Sequence, residues 1–252
     1  MIEFKNVSSG YRGREVIQNA SFKVRKGAIT AVIGRNGQGK TTLISCLNGG
    51  VKYRGSILLE GKEVSKTDAN ERAGKIAFLP QFLKNTSFKV RELTEIGRRP
   101  YLTRLKGLNG KDKEIIENAM RIAGVLDLAD RKVNELSGGE KQRAYLSMIL
   151  AQNTDVIVLD EALTHLDASN ENEFFALFKH LTKSMGKTVL IVMHDLTKCI
   201  NNADYIVVVD DGQAYPEKTA EEIMRTDMIE NIFHVKKTKV YDEDGKEMVL
   251  YI

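Results

Sequence analysis

One stretch constrains this chain more than any other: Gly34-Arg-Asn-Gly-Gln-Gly-Lys-Thr41, set between the β-branched run Ile29–Ile33 and the helical run Thr41–Leu47. Strand, glycine-rich turn and helix in that order belong to an α/β fold. Glycines at 34, 37 and 39 let the backbone curl so that successive N–H groups point inward, and the helix N-terminus adds positive partial charge. Such a cradle suits phosphate oxygens. An ordinary strand-to-helix turn needs no Lys-Thr pair. Here Lys40 is placed to reach the β- and γ-phosphates of a nucleotide, and the Thr41 hydroxyl to ligate Mg²⁺.

Other β-branched runs accompany the first. Ile76–Leu79, Val156–Leu159, Val189–Met193 and Ile206–Val209 lack polar alternation, as expected of a mainly parallel sheet covered on both faces. Ile2–Val7, Ser21–Val24 and Ser56–Leu59 instead read as half-exposed antiparallel strands, and Thr238–Tyr241 with Met248–Ile252 as a hairpin turning through Asp242–Gly245. Strand signals vanish between Gln81 and Leu150, where Lys111–Gly124 and Ser137–Ala151 read as helices. The expectation is one domain spanning 1–252, with an α/β core from 1–80 and 151–252 and an inserted helical lobe at 81–150. After Asp167, Phe174, Leu177, Phe178 and Leu181 follow i, i+3, i+4, i+7 spacing, so these side chains are core packing of an amphipathic helix that ends near Gly186.

Composition narrows the class. Of 252 residues, 42% are apolar and 29% charged, ordinary for a globular chain with a real core. The longest apolar runs fall far short of the roughly 20 residues of a membrane-spanning helix, and the N-terminus lacks the pattern of a secretory signal. Cys46 and Cys199, without a CxxC or His-Cys cluster, read as small apolar residues in a reducing compartment, which points to the cytoplasm. A net charge of +4 is compatible with an anionic membrane surface or a nucleic acid and diagnostic of neither.

Three further features belong with the phosphate loop. Val156–Leu159 runs into two adjacent carboxylates: Asp160 can hold Mg²⁺ through its water shell, and Glu161 can polarise an attacking water as general base. His194 closes a neighbouring run, where it can hydrogen-bond a γ-phosphate. Gln81, after Phe78-Leu-Pro80, ends another, where its side-chain oxygen can complete a Mg²⁺ shell. Finally, Ser137 and Glu140 have the spacing of a capping box, which explains a well-capped helix start. It does not explain Gly138 and Gly139, each of which costs about 1 kcal/mol relative to alanine within a helix. Two bare glycines make sense if a large anion approaches the backbone N–H groups. The chain already has one phosphate loop, so the second anion site suggests a phosphate presented by another subunit.

On these residues the chain resembles the nucleotide-binding subunits of ATP-binding cassette (ABC) transporters over essentially its whole length. Gly34–Thr42 is similar to the Walker A loop, Val156–Glu161 to Walker B, Leu136–Glu140 to the LSGGQ signature, Gln81 to the Q-loop and His194 to the switch histidine. Thr164–Asp167 resembles the D-loop and Tyr11 the aromatic that stacks on adenine. The resemblance implies ATP and Mg²⁺ as ligands. Tyr11, Gly34, Asn36, Gly37, Gly39, Lys40, Thr41, Thr42, Gln81, Asp160 and, from a second copy, Ser137, Gly138 and Gly139 then contact nucleotide, with Thr41, Gln81 and Asp160 on the metal and Lys40, Glu161 and His194 catalytic. It also implies a head-to-tail homodimer closing over two ATP molecules. One departure is Ala162, where the family usually has proline after the catalytic glutamate.

With one motif set and no membrane span, a transporter built on this chain needs a separate permease, and the chain would lie peripherally on the inner face of the cell membrane. Val90–Tyr101 and Arg143–Gln152 resemble segments of importers for iron–siderophore, haem and cobalamin, whose substrate-binding protein acts upstream. Gln81–Tyr101 would then form the groove receiving the permease; otherwise Arg98 and Arg99 are a solvated helix end. The alternative is a soluble cassette ATPase in iron–sulfur cluster assembly. No long heptad insertion is present, and +4 makes a poor case for a nucleic-acid partner.

Overall fold

Every position of Ile29–Gly34, Val156–Asp160 and Thr188–Val192 is buried, as runs without polar alternation require. The computed structural model describes residues 1–11, 13–81, 83–102, 107–161, 168–241, 245 and 247–252. The chain packs as two compact units, Met1–Thr67 with Thr188–Ile252, and Asp68–Lys187.

The first unit opens with β1 (Ile2–Tyr11), β2 (Arg14–Val24), β3 (Ile29–Gly34), α1 (Lys40–Asn48), β4 (Tyr53–Leu59) and β5 (Lys62–Glu63). The second holds α2 (Ala69–Ala73), β6 (Ile76–Leu79), α3 (Val90–Ile96), α4 (Gly110–Ile122), α5 (Gly138–Ala151), β7 (Val156–Asp160) and α6 (Ala168–Lys183). The first then resumes with β8 (Thr188–Val192), α7 (Leu196–Asn202), β9 (Tyr205–Asp210), β10 (Gln213–Ala214), β11 (Lys218–Thr219), α8 (Ala220–Met224), α9 (Met228–Phe233), β12 (Lys237–Tyr241) and β13 (Glu247–Tyr251).

In the first unit β1 pairs antiparallel with β2 and β4, and β4 with β5. Phe4 and Phe22 stack at 4.3 Å between ring centroids. These strands run longer than their apolar alternation shows. Bulges break the β1–β2 register after Phe4 and Val7, and Asn6 and Asn19 sit at φ +48° and +50°. Each bulge shifts the in–out alternation that the sequence pattern depends on. A second sheet places β3 between β8 and β9, parallel to both, with β10 and β11 antiparallel on β9. The β12–β13 hairpin forms as expected; most of its turn lies outside the described residues.

In the second unit β6 and β7 pair in parallel. Among the described residues from Leu83 to Ala151 the regular elements are helical, α5 packing on both α3 and α4. Phe174, Phe178 and Leu181 of α6 are buried as the spacing predicts, Leu177 is half-buried, and Phe175 joins them edge-on to Phe178. Arg98 is neither a solvated helix end nor a free cation. It is buried, donates from Nε to Asp112 Oδ1 at 3.0 Å and from Nη1 to the Ala151 carbonyl at 2.9 Å, and lies over the Tyr101 ring. The Asn109 backbone N–H, and with it the Arg98 guanidinium, hold the Asp112 carboxyl below its ordinary value. Arg99 remains exposed.

Candidate active site

The phosphate loop is shaped by close backbone approach. Gly34 pairs with Val209 of β9, and a Cβ there would lie 2.3 Å from the Val209 carbonyl oxygen. Gly37 and Gly39 adopt φ +80° and +97°, which only glycine takes without strain. A Cβ on Gly39 would also strike Val16 and Ile17 of β2, at 2.8 and 2.7 Å. Gly39 caps α1 without a side chain, and the first turn carries no acidic residue, so nothing in the helix neutralises its N-terminal dipole. Arg35, Asn36, Gly37 and Thr41 are exposed, and Thr42 is buried. Lys40 is only 4% exposed, folded under the loop, its Nζ donating to the Gly34 carbonyl at 2.8 Å and the Arg35 carbonyl at 3.1 Å. The loop thus fixes its own ammonium group.

His194 belongs to the same edge. Val32 of β3 is in register with Val192 of β8, and the Met193 N–H donates to the Val32 carbonyl at 3.1 Å. Two residues further along each parallel chain stand Gly34 and His194, and the histidine is exposed. Tyr11 is 51% exposed at the turn into β2, the strand whose Val16 and Ile17 underlie Gly39. Both cysteines are buried, and burial pushes both thiols up, away from reactivity.

In the second unit Leu79 is in register with Leu159, which brings Gln81 level with Glu161. Asp160 closes β7 and is 4% exposed. Glu161 follows the strand at φ +49°, an uncommon conformation for glutamate. Gln81 Nε2 donates to the Glu161 carboxylate. The amide spends its nitrogen on the general-base candidate, so its oxygen is the atom available to a cation. The D-loop residues Thr164–Asp167 and the departure at Ala162 lie outside the described residues.

Ser137 caps α5 in a complete capping box: Glu140 N–H donates to Ser137 Oγ at 3.3 Å, and Ser137 N–H to Glu140 Oε2 at 2.8 Å. The backbone N–H of Ser137 holds the Glu140 carboxyl below its ordinary value. A Cβ on Gly138 would meet nothing among the described residues, so packing against them does not demand glycine there. Sequence reasoning missed how α5 grips the segment after Gln81. Tyr145 donates its hydroxyl to the Lys84 carbonyl at 2.7 Å, and Lys141 Nζ donates to Asn85 Oδ1 at 2.6 Å. Partners about 60 positions apart leave no local signal.

The ABC transporter family model matches residues 17–164. The chain belongs to the ABC transporter family. It is therefore an ATP-binding cassette that hydrolyses ATP, with the fold described above. A "Probable siderophore transport system ATP-binding protein" of Bacillus subtilis (strain 168) is 38% identical over 92% of this chain and 85% of its own length. A petrobactin import ATP-binding protein of the same organism is 37% identical over 92% of each chain. Among solved structures, the ADP conformation of an ATP-binding cassette of an ABC transporter superposes with TM-score 0.83 at 26% identity, covering 93% of this chain and 97% of that one. These relatives favour a transport cassette over the iron–sulfur assembly alternative. No helix among the described residues of this ABC cassette is long and apolar enough to cross a membrane.

Proposed function

We propose that this cassette is the MgATP-driven motor of an importer for an iron complex of the siderophore kind. Lys40 holds the β- and γ-phosphates, loop N–H groups from Gly34 to Thr42 surround them, and Tyr11 stacks on the adenine. Glu161 is the general base that polarises the attacking water, and His194 hydrogen-bonds the γ-phosphate. Ser137, Gly138 and Gly139 serve the ATP bound by a second, head-to-tail copy. Support for that last role comes from Gly138, whose missing side chain no contact among the described residues requires.

The residues fit Mg²⁺. The donor set, the Thr41 hydroxyl, the Gln81 amide oxygen and the Asp160 carboxylate, is all oxygen, as a hard cation prefers. Asp160 is the one carboxylate among them, as suits an ion that keeps several of its waters. Bound there, the ion would offset charge building on the phosphate oxygens. For the chain as a whole we propose a single cassette domain with its helical lobe at 81–150, peripheral on the inner membrane face. A separate permease would seat against the lobe, and a substrate-binding protein would act upstream.

The observation that carries the import reading is identity of 37–38% to siderophore and petrobactin transport ATP-binding proteins across nearly the full chain. Purification of the tagged chain from its native membranes is expected to bring down a polytopic permease, identified by mass spectrometry. Recovery with soluble iron–sulfur assembly proteins alone would overturn the reading.

A further inference from the structure

No site residue lies beyond His194, yet the C-terminal hairpin is built onto the helix that follows it. Lys236 and Ile252 exchange both backbone hydrogen bonds, at 2.7 and 3.0 Å. Pairs alternate along an antiparallel ladder, so the N–H and C=O groups of Val249 and Tyr251 face away from β12. Such an edge is a row of unpaired donors and acceptors, and α7 satisfies it with side chains. Val249 N–H donates to Asn201 Oδ1 at 3.1 Å, and Asn201 Nδ2 donates back to the Val249 carbonyl at 2.8 Å. The amide stands where the peptide of a third strand would. One turn earlier, Tyr251 N–H donates to Thr197 Oγ1 at 2.9 Å. Asn201 Nδ2 also donates to the Thr197 carbonyl at 2.8 Å, which locks the two residues together.

At its other end α7 is capped by Asp195, which accepts from the Lys198 N–H at 2.9 Å, and His194 is the preceding residue. Thr197 stands three residues past the histidine and Asn201 seven, so at 1.5 Å per residue the hairpin bonds lie about 4.5 and about 10 Å from it along α7. Cys199 and Ile200 anchor its inner face.

We propose that Thr197 and Asn201 are positioning residues for His194, fixing its place by tying α7 to the C-terminal hairpin. The proposal rests on His194 as the γ-phosphate ligand. A short capped helix pinned by three side-chain bonds moves as one piece; freed from the hairpin, it carries the histidine out of line.

Steady-state ATPase kinetics on the full chain test this. Asn201→Ala and Thr197→Val each lower kcat about five- to tenfold, with KM for ATP moved by less than about twofold, since misplacement of a reacting group acts on the chemical step. Thr197→Ser, which keeps the hydroxyl, retains wild-type kcat. In a His194→Ala background Asn201→Ala adds no further loss, because a residue acting through another is silent in its absence. Wild-type kcat in Asn201→Ala, or an equal loss in both backgrounds, overturns the proposal. Wild-type kcat in His194→Ala alone instead removes the role of His194, and the inference with it. A direct readout covers a residual rate too small to measure. In ¹⁵N-histidine-labelled protein, the His194 ring signals, assigned by their loss in His194→Ala, shift in Asn201→Ala and stay in Thr197→Ser. Signals unmoved in Asn201→Ala contradict the proposal.

Discussion

Lys40→Ala lowers ATP turnover by ~10²-fold or more, the scale seen when one preorganised charge-stabilising donor is removed from a reacting centre. The magnitude follows from how the side chain is held. Lys40 is 4% exposed and bonded to the Gly34 and Arg35 carbonyls, so its ammonium is placed before nucleotide arrives. Removing it takes away the charge proposed to meet the γ-phosphate and leaves two loop carbonyls without that donor. The second effect costs stability on the order of 1–3 kcal/mol at the buried Gly34 carbonyl, so the variant should also melt earlier. Phosphate-release assays on folded protein check the first effect, and thermal unfolding the second. Wild-type turnover in the variant would mean that the loop at Gly34–Thr42 is not the phosphate site.

Glu161→Gln has a different expected outcome: ATP still binds, turnover falls by about 10²- to 10⁴-fold, and the chain accumulates as an ATP-bound dimer. Glutamine is nearly isosteric, and its side-chain oxygen can still accept the hydrogen bond that Gln81 Nε2 now gives to Glu161. What disappears is the basicity that activates water. If hydrolysis is the step that reopens the dimer, blocking it shifts the population to the closed form, because ATP contacts favour that state and nothing removes them. Size-exclusion chromatography with light scattering, with and without ATP, reads the result. A monomer with undiminished hydrolysis would sink the general-base role.

Much of this architecture is legible in the residues, and the reasons differ by element. The buried parallel strands announce themselves because both faces are covered, leaving unbroken β-branched runs such as Val189–Met193. The phosphate loop is legible because strict backbone geometry admits few residue types at 34, 37, 39 and 40. Most of β2 is not, since polar residues and the positive φ of Asn19 interrupt its alternation. Helix α7 is short and rests on its Asp195 cap and on the hairpin rather than on a long apolar stripe. Arg98 shows the limit most plainly: its partners Asp112 and Ala151 lie 14 and 53 positions away, so only the folded chain reveals a buried structural cation. The same holds for Gln81 and Glu161, 80 positions apart and in contact.

If the signature helix of a second copy completes each active site, as proposed, hydrolysis is a property of the dimer. The dependence of turnover on chain concentration tests it most directly, with light scattering on the same samples in saturating MgATP. The expected result is turnover per chain that rises with concentration, tracks the dimer fraction and then levels off. Constant turnover per chain, down to dilutions at which only monomer is seen, would contradict the account.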